Sequence, residues 1–449
     1  MTNSLPALKS LYTAGLANKE IVLYEGQLEI DLGNNKIQGT GRVRYVWFPN
    51  PQIQFDFLTQ NSIFEILQNF NSLNSNQTSN LILVDISASP VKMFISSCTS
   101  DGNIGNSIYG RIDEAVIIKE EPEPDLSYIL FHVVNFHNFT GAESVTLQTP
   151  SSISFRSRLT FKEAGWKLTL DEIKSTKGSV SSLKQIGGFA ITHIGRLEKL
   201  DGSTFSSEDG IFFLKKFSKF LSFVRGFHIS IILLSGYDAN AKKIWEYWEA
   251  SRSDSWKNVR SWSPQNQESE LTQVFPGFLQ WYDSWDDSEK KALDWYLEAN
   301  YNPTVELDTI VVQVAFELLA WVFLVEKGAK KFSRSQFGKL TAKNQILELF
   351  KELNISSQIP SNSSFLNDLN QFAAQNSWID SPSIITGMRN AITHAKPQKR
   401  NQLHSSSPMV KIGATHLGLW YLEIALLKIF NYQSFYFNRL EEVNQKLVP

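Results

Sequence analysis

Residues 386–397 read Thr386-Gly387-Met388-Arg389-Asn390-Ala391-Ile392-Thr393-His394-Ala395-Lys396-Pro397. The apolar side chains are small, polar ones recur between them, and Pro397 stops a helix that the pattern predicts over Ser383 to Ala395. Asn390 and His394, four apart, share a helical face. Arg389 lies about 140° around from His394 and reaches it only by folding back its long side chain. An arginine is always charged and matches phosphate oxygens in geometry; a histidine exchanges protons near neutrality. Together they suit attack of a ribose 2'-OH on the neighbouring phosphate, which needs proton movement at two oxygens and a cation on the phosphorus centre.

Outward from this segment, helical signals dominate from about residue 270. The candidates are Phe278 to Ser284, Ser288 to Asn300, Val305 to Lys327, Lys343 to Leu353, Phe365 to Gln375, Ser383 to Ala395, Lys411 to Asn431 and a tail helix around Phe437 to Leu447. Pro303-Thr304, Gly328, Pro360 and Pro382 punctuate them, and no strand is expected there. From Ile21 to Asp171 the pattern changes to short β-prone runs: Ile21 to Leu32, Lys36 to Phe48, Ile53 to Leu58, Leu81 to Ile86, Val91 to Ser97, Ala115 to Lys119, Ile129 to Phe136 and Ser144 to Leu147. Turns at Gly33-Asn34-Asn35 and Ser100-Asp101-Gly102, and loops at Leu73 to Asn80 and Glu120 to Pro124, separate them. Ile211 to Val224 has helical spacing, Phe227 to Leu234 is a buried-strand run, and Lys242 to Ala250 is read as a short helix. The expected class is therefore α+β, with a β-rich recognition domain over 1–265 and a helical effector domain over 266–449.

Composition narrows the function. The chain has 449 residues, enough for two or three cores, with 42% hydrophobic and 20% charged residues and a net charge of -2. Nothing global draws it to nucleic acid or an anionic membrane, so an RNA contact must be local. Its single cysteine, Cys98, forms no intramolecular disulfide, and no Cys/His cluster, HExxH or carboxylate cluster frames a metal; neither metal nor cofactor is expected. Residues 1–20 carry no signal-peptide core. The apolar run Ile310 to Val325 is broken by Gln313 and Glu317 and falls short of the ~18 to 20 residues of a membrane span. A cytoplasmic protein without a membrane partner is the reading.

Two basic groups stand near the helical candidates. Lys327, Lys330, Lys331, Arg334, Lys339 and Lys343 form a run that reads as a solvated face, whereas Lys396, Lys399 and Arg400 follow His394 directly and are the candidate RNA-backbone contacts. Glu317, inside an apolar helix, should face a polar partner or an active-site cleft, and a lysine or arginine is the expected partner. His416 is read as structural, and His132, His137, His193 and His228 lack metal-ligand spacing. Seven of the twelve tryptophans fall between Trp245 and Trp295 and are assigned to packing between domains rather than to a stacking platform. No phosphate-cradling glycine loop, nucleophile elbow or kinase signature is present.

The string Arg389-Asn390 followed by His394 resembles the motif of HEPN domains, helical bundles marked by an arginine, four to six intervening residues beginning with a polar one, and a histidine. The likeness spans roughly residues 300–435. It implies a homodimer in which two motifs face each other in one metal-independent ribonuclease site, with Arg389, Asn390 and His394 as its residues. The β-rich half and segments such as Phe223 to Asp238 are similar, more weakly, to anti-phage HEPN proteins of the ApeA type. That implies a phage-derived trigger sensed by the N-terminal domain and RNA cut to arrest growth. Two other classes fit the same sequence: a non-catalytic protein whose helical part only dimerises, and a nucleotidyl transferase acting on a protein.

Overall fold

The computed structural model describes residues 5–12, 16–33, 35–62, 79–101, 105–120, 124–139, 141, 143–147, 153–173, 176–264, 267–301, 304–360 and 363–445. The Leu73 to Asn80 loop up to residue 78, Asn34, Gly102, residues 121–123, Pro303, the expected boundary at 265 and the last residues of the expected tail helix lie outside them. The chain is mixed α+β, with a β-rich N-terminal region and a helical C-terminal part. It divides into two compact units: Met1–Ser218 with Ile229–Lys257, and Lys219–His228 with Asn258–Pro449.

The first unit holds a closed barrel, β2-β3-β4-β7-β6-β5 in spatial order, formed by Ile21–Asp31 (β2), Lys36–Val46 (β3), Gln52–Thr59 (β4), Asn80–Leu83 (β5), Val91–Asp101 (β6) and Gly105–Ile112 (β7). Alternation does the sorting. In β4, Ile53, Phe55, Phe57 and Thr59 point inward and the residues between them are partly exposed, the period-2 signature of a sheet with one wet face. Closure leaves no strand edge within the barrel.

A nine-stranded sheet completes this unit, in the order β1-β10-β11-β12-β13-β9-β14-β15-β8. Its strands are Leu5–Pro6 (β1), Val116–Lys119 (β8), Tyr128–Val134 (β9), Glu143–Leu147 (β10), Ile153–Glu163 (β11), Trp166–Glu172 (β12), Ile191–Lys199 (β13), Ile231–Tyr237 (β14) and Lys243–Trp248 (β15). The segment expected as a helix over Lys242 to Ala250 is therefore β15. Its Ile, Trp and Tyr residues gain more from pairing with β14 and β8 than an isolated turn of helix could supply. Helix α1 (Thr176–Ile186) precedes β13. In α2 (Ser207–Arg225), Phe213 and Phe217 stack on Trp166, Phe131 and Phe161 of the sheet.

The second unit contains α3 (Leu271–Ser284), α4 (Lys291–Tyr301), α5 (Val305–Trp321, continued by a π turn at Val322–Glu326), α6 (Arg334–Phe337), α7 (Ala342–Glu352), α8 (Asn367–Gln375), α9 (Ser381–Thr393), α10 (Pro397–Ser405) and α11 (Pro408–Ile429). In place of the expected tail helix it ends in a hairpin, Tyr436–Asn438 (β16) with Val443–Gln445 (β17). The aromatic pair Tyr436 and Phe437 is buried and extended, and Phe437 N–H donates to Trp262 O at 2.7 Å. Six of the clustered tryptophans are buried, Trp245, Trp248 and Trp256 within the first unit and Trp262, Trp281 and Trp285 within the second. They fill interiors.

Candidate active site

Helix α9 carries the candidate residues, and its start is firmly specified. Asp380 caps it, accepting from the Ser383 N–H at 2.8 Å and from the Ser383 hydroxyl, with Pro382 in the first turn. Lys343 pairs with Asp380 at 3.2 Å. These contacts hold the Asp380 carboxyl below its usual range even though burial pushes it the other way. Ile384, Ile385, Met388 and Ala391 are buried. Gly387 meets the Trp378 ring so closely that an added Cβ would lie 2.4 Å from it, which fixes how near the helix approaches its neighbour.

The helix ends at Thr393, two residues earlier than the sequence pattern predicts. The ring of Pro397 would collide with the carbonyl of residue 393, and Lys396, before the proline, is extended at ψ 136. His394 is consequently the cap, extended at φ -94 and ψ 126, and its N–H donates to Asn390 O at 3.1 Å. It follows the helical turn of Asn390 rather than continuing that face. Its imidazole is exposed and makes no hydrogen bond or ion pair among the described residues.

Arg389 is half-buried. Its Nη1 donates to Asn390 Oδ1 at 3.3 Å, while its Nε is buried with no hydrogen-bond partner. No carboxylate among the described residues pairs with this half-buried guanidinium. Residues 381–422 contain no aspartate or glutamate at all. The arrangement leaves an under-satisfied cation one helical turn before an accessible imidazole, open to an anionic group.

The two basic groups separate clearly. Lys327 lies 3.6 Å from Glu289, Lys331 3.2 Å from Glu348, Arg334 3.8 Å from Glu326 and Lys343 3.2 Å from Asp380. That run is largely neutralised. Lys396 and Arg400, in contrast, are exposed without a carboxylate among the described residues, and Lys399 Nζ donates to Gln402 Oε1 at 3.1 Å. The basic group lies on a helix, α10, that the sequence reading missed because it has no apolar face to reveal it.

Glu317 corrects an expectation. Its Oε1 accepts from Gln313 Nε2 at 2.5 Å, so a neutral amide takes the place of the expected cation. His416 is enclosed against Phe365; burial, with Arg439 and Arg260 adding to it, lowers its pKa to about 3. The strongest polar cluster was not anticipated. Arg439 donates to both carboxylate oxygens of Glu423 and to Asn300 Oδ1 at 2.9 Å, and Tyr296 donates to Glu423 at 2.7 Å. A lone glutamate within the apolar α11 was the available signal. No group of three or more metal-ligating side chains occurs among the described residues.

These features define a two-unit α+β protein, a barrel and sheet in one unit and helices with an exposed His394 in the other. Residues 282–448 match the model of the YopA C-terminal domain, and residues 121–259 that of the YopA central domain. The chain is 26% identical over 439 residues to a Bacillus subtilis (strain 168) protein described as SPbeta prophage-derived uncharacterized protein YopA, with 97% of this chain and 95% of that one covered. No solved structure matches. Arg389, Asn390, His394 and the α10 cations all fall within the C-terminal match.

Proposed function

We propose that the helical unit is a metal-independent endoribonuclease of the HEPN type, acting in the cytoplasm as a homodimer in defence against phage. The observation that carries this reading is the half-buried Arg389 guanidinium, which among the described residues bonds to Asn390 alone and leaves its Nε unsatisfied, followed by the exposed His394. In the reaction, His394 takes the proton of the ribose 2'-OH as that oxygen bonds to phosphorus. The P–O5' bond breaks, and the leaving 5' oxygen takes a proton from an imidazolium, that of the second protomer's motif. Arg389 offsets the charge building on the phosphoryl oxygens, and Asn390 holds the guanidinium. The products are a 2',3'-cyclic phosphate and a 5'-OH.

A second copy has a surface to meet. Leu307, Val311, Val314, Leu318 and Trp321 recur along α5 at alternating spacings of four and three, and all are incompletely buried, which suits helix-to-helix pairing. The prophage origin of the YopA relative supports the defence role, since a resident phage gains when rivals are denied the host. In this scheme the β-rich unit receives the trigger. The test is digestion of total RNA in EDTA by wild type and by His394→Ala. Cleavage with cyclic-phosphate ends by the wild type alone is the expected result. Equal fragments from both proteins would sink the assignment and favour a protein that only dimerises or binds.

A further inference from the structure

Helix α10 has no buried residue, yet it is nine residues long and continuous. A short helix gains little from its own propensity, and here apolar burial adds only a half-buried Leu403. Two devices hold it in place: Pro397 sets the first turn, and Gln402 Nε2 donates to Asn376 Oδ1 at 2.6 Å. The half-buried side of the helix is thus occupied by Lys399, Gln402 and Leu403, with Lys399 turned onto Gln402. The face beside it is exposed. Lys396, Arg400 and His404 follow one another at intervals of four, all exposed, forming one stripe with about 6 Å of helix rise between successive groups.

That spacing is comparable to the distance between neighbouring phosphates on a single RNA strand, and the stripe begins two residues after His394. We propose that α10 is a phosphate rail, with Lys396 and Arg400 on successive phosphates of single-stranded RNA and His404 on the next, fixing which linkage reaches His394. The identity of the polymer rests on the nuclease reading; the geometry of the rail does not. Lys399, also a candidate contact by sequence, flanks this stripe and donates to Gln402. The stretch 381–422 itself contributes no acidic side chain to repel the strand.

Counterion release gives the rail a quantitative signature, because each phosphate neutralised on a single strand contributes about 0.7 to the slope of log affinity against log salt. The experiment measures binding of a fluorescein-labelled oligouridine to full-length His394→Ala, which keeps the RNA intact, across a salt series. Adding Lys396→Ala and Arg400→Ala should weaken binding and flatten the slope by about 1.4, the sum for two phosphates. Adding Lys331→Ala and Arg334→Ala, which are already paired, should leave it unchanged. An unaltered slope after the first pair of changes, equal flattening by both pairs, absence of RNA binding, or binding to anionic phosphatidylserine vesicles alone would each overturn the rail. Cleavage by the wild type is read separately. A salt slope that behaves as stated beside intact RNA removes the nuclease and keeps the rail, and cleavage with an unaltered slope does the reverse.

Discussion

Arg439 and Arg389 belong to the same helical unit, one buried and the other half-buried, and their surroundings are opposite. Arg439 is almost fully enclosed and has Glu423, Asn300 and the Arg260 carbonyl arranged around it. Burial alone would lower its pKa, and the Glu423 carboxylate more than reverses that; Glu423 is itself pushed above the usual carboxylate range by burial. Arg389 has only a 3.3 Å contact to an amide and an idle Nε. A fully satisfied buried charge serves the fold, and removing one partner strands the other. An under-satisfied one stores binding capacity for something that arrives later.

The comparison is broken most severely at the first site. Arg439→Ala leaves Glu423 uncompensated, and a loss of about 3 to 5 kcal/mol in unfolding free energy is expected from urea titration of the second unit. A loss below ~1 kcal/mol would mean that the pair is not the anchor described here.

Acid sharpens the comparison less forcefully. His132 in the first unit has a pKa lowered to about 4 by burial, and His416, beside Arg439, one lowered to about 3. Both stay neutral in the folded chain while the unfolded chain takes up protons below about pH 6.5, so the unfolded state is favoured as pH falls through that window. Between pH 7.5 and 5 the second unit should lose about 2 kcal/mol, and the first unit more, since burial holds its His193 neutral as well, read from urea midpoints. The smallest effect belongs to Arg389. Arg389→Met should change stability by less than about 1 kcal/mol, in either direction, since no buried partner is stranded. Its cost should appear in RNA cleavage; a large drop in stability with cleavage retained would reverse the roles of the two arginines.

The helices were legible where a long run stayed apolar. Val305 to Lys327 and Lys411 to Asn431 came close to their observed limits, because long stripes of Leu, Val and Ile leave little alternative. The errors fell where local preference and context disagree. Lys242 to Ala250 has helical composition near its start but lies between two strands with open hydrogen-bonding edges, and becomes β15. The tail around Phe437 pairs with itself as a two-stranded hairpin that keeps Tyr436 and Phe437 buried. Helix α10 was invisible because a helix without a buried face has no periodic signal to read.

The candidate site divides along the same line. By itself the sequence determined that Arg389, Asn390 and His394 lie close along the chain, that Pro397 ends their helix, and that cations follow, since these depend on covalent order and on proline sterics. Only the tertiary structure decided which charges are spent. Among the described residues it neutralises much of the run from Lys327 to Lys343 with carboxylates from elsewhere, leaves Lys396 and Arg400 unpaired, gives Glu317 an amide and Glu423 an arginine, and leaves Arg389 Nε without a partner. Those outcomes depend on which distant side chains arrive within a few ångströms, and pairing over such distances is set by packing rather than by neighbours in sequence.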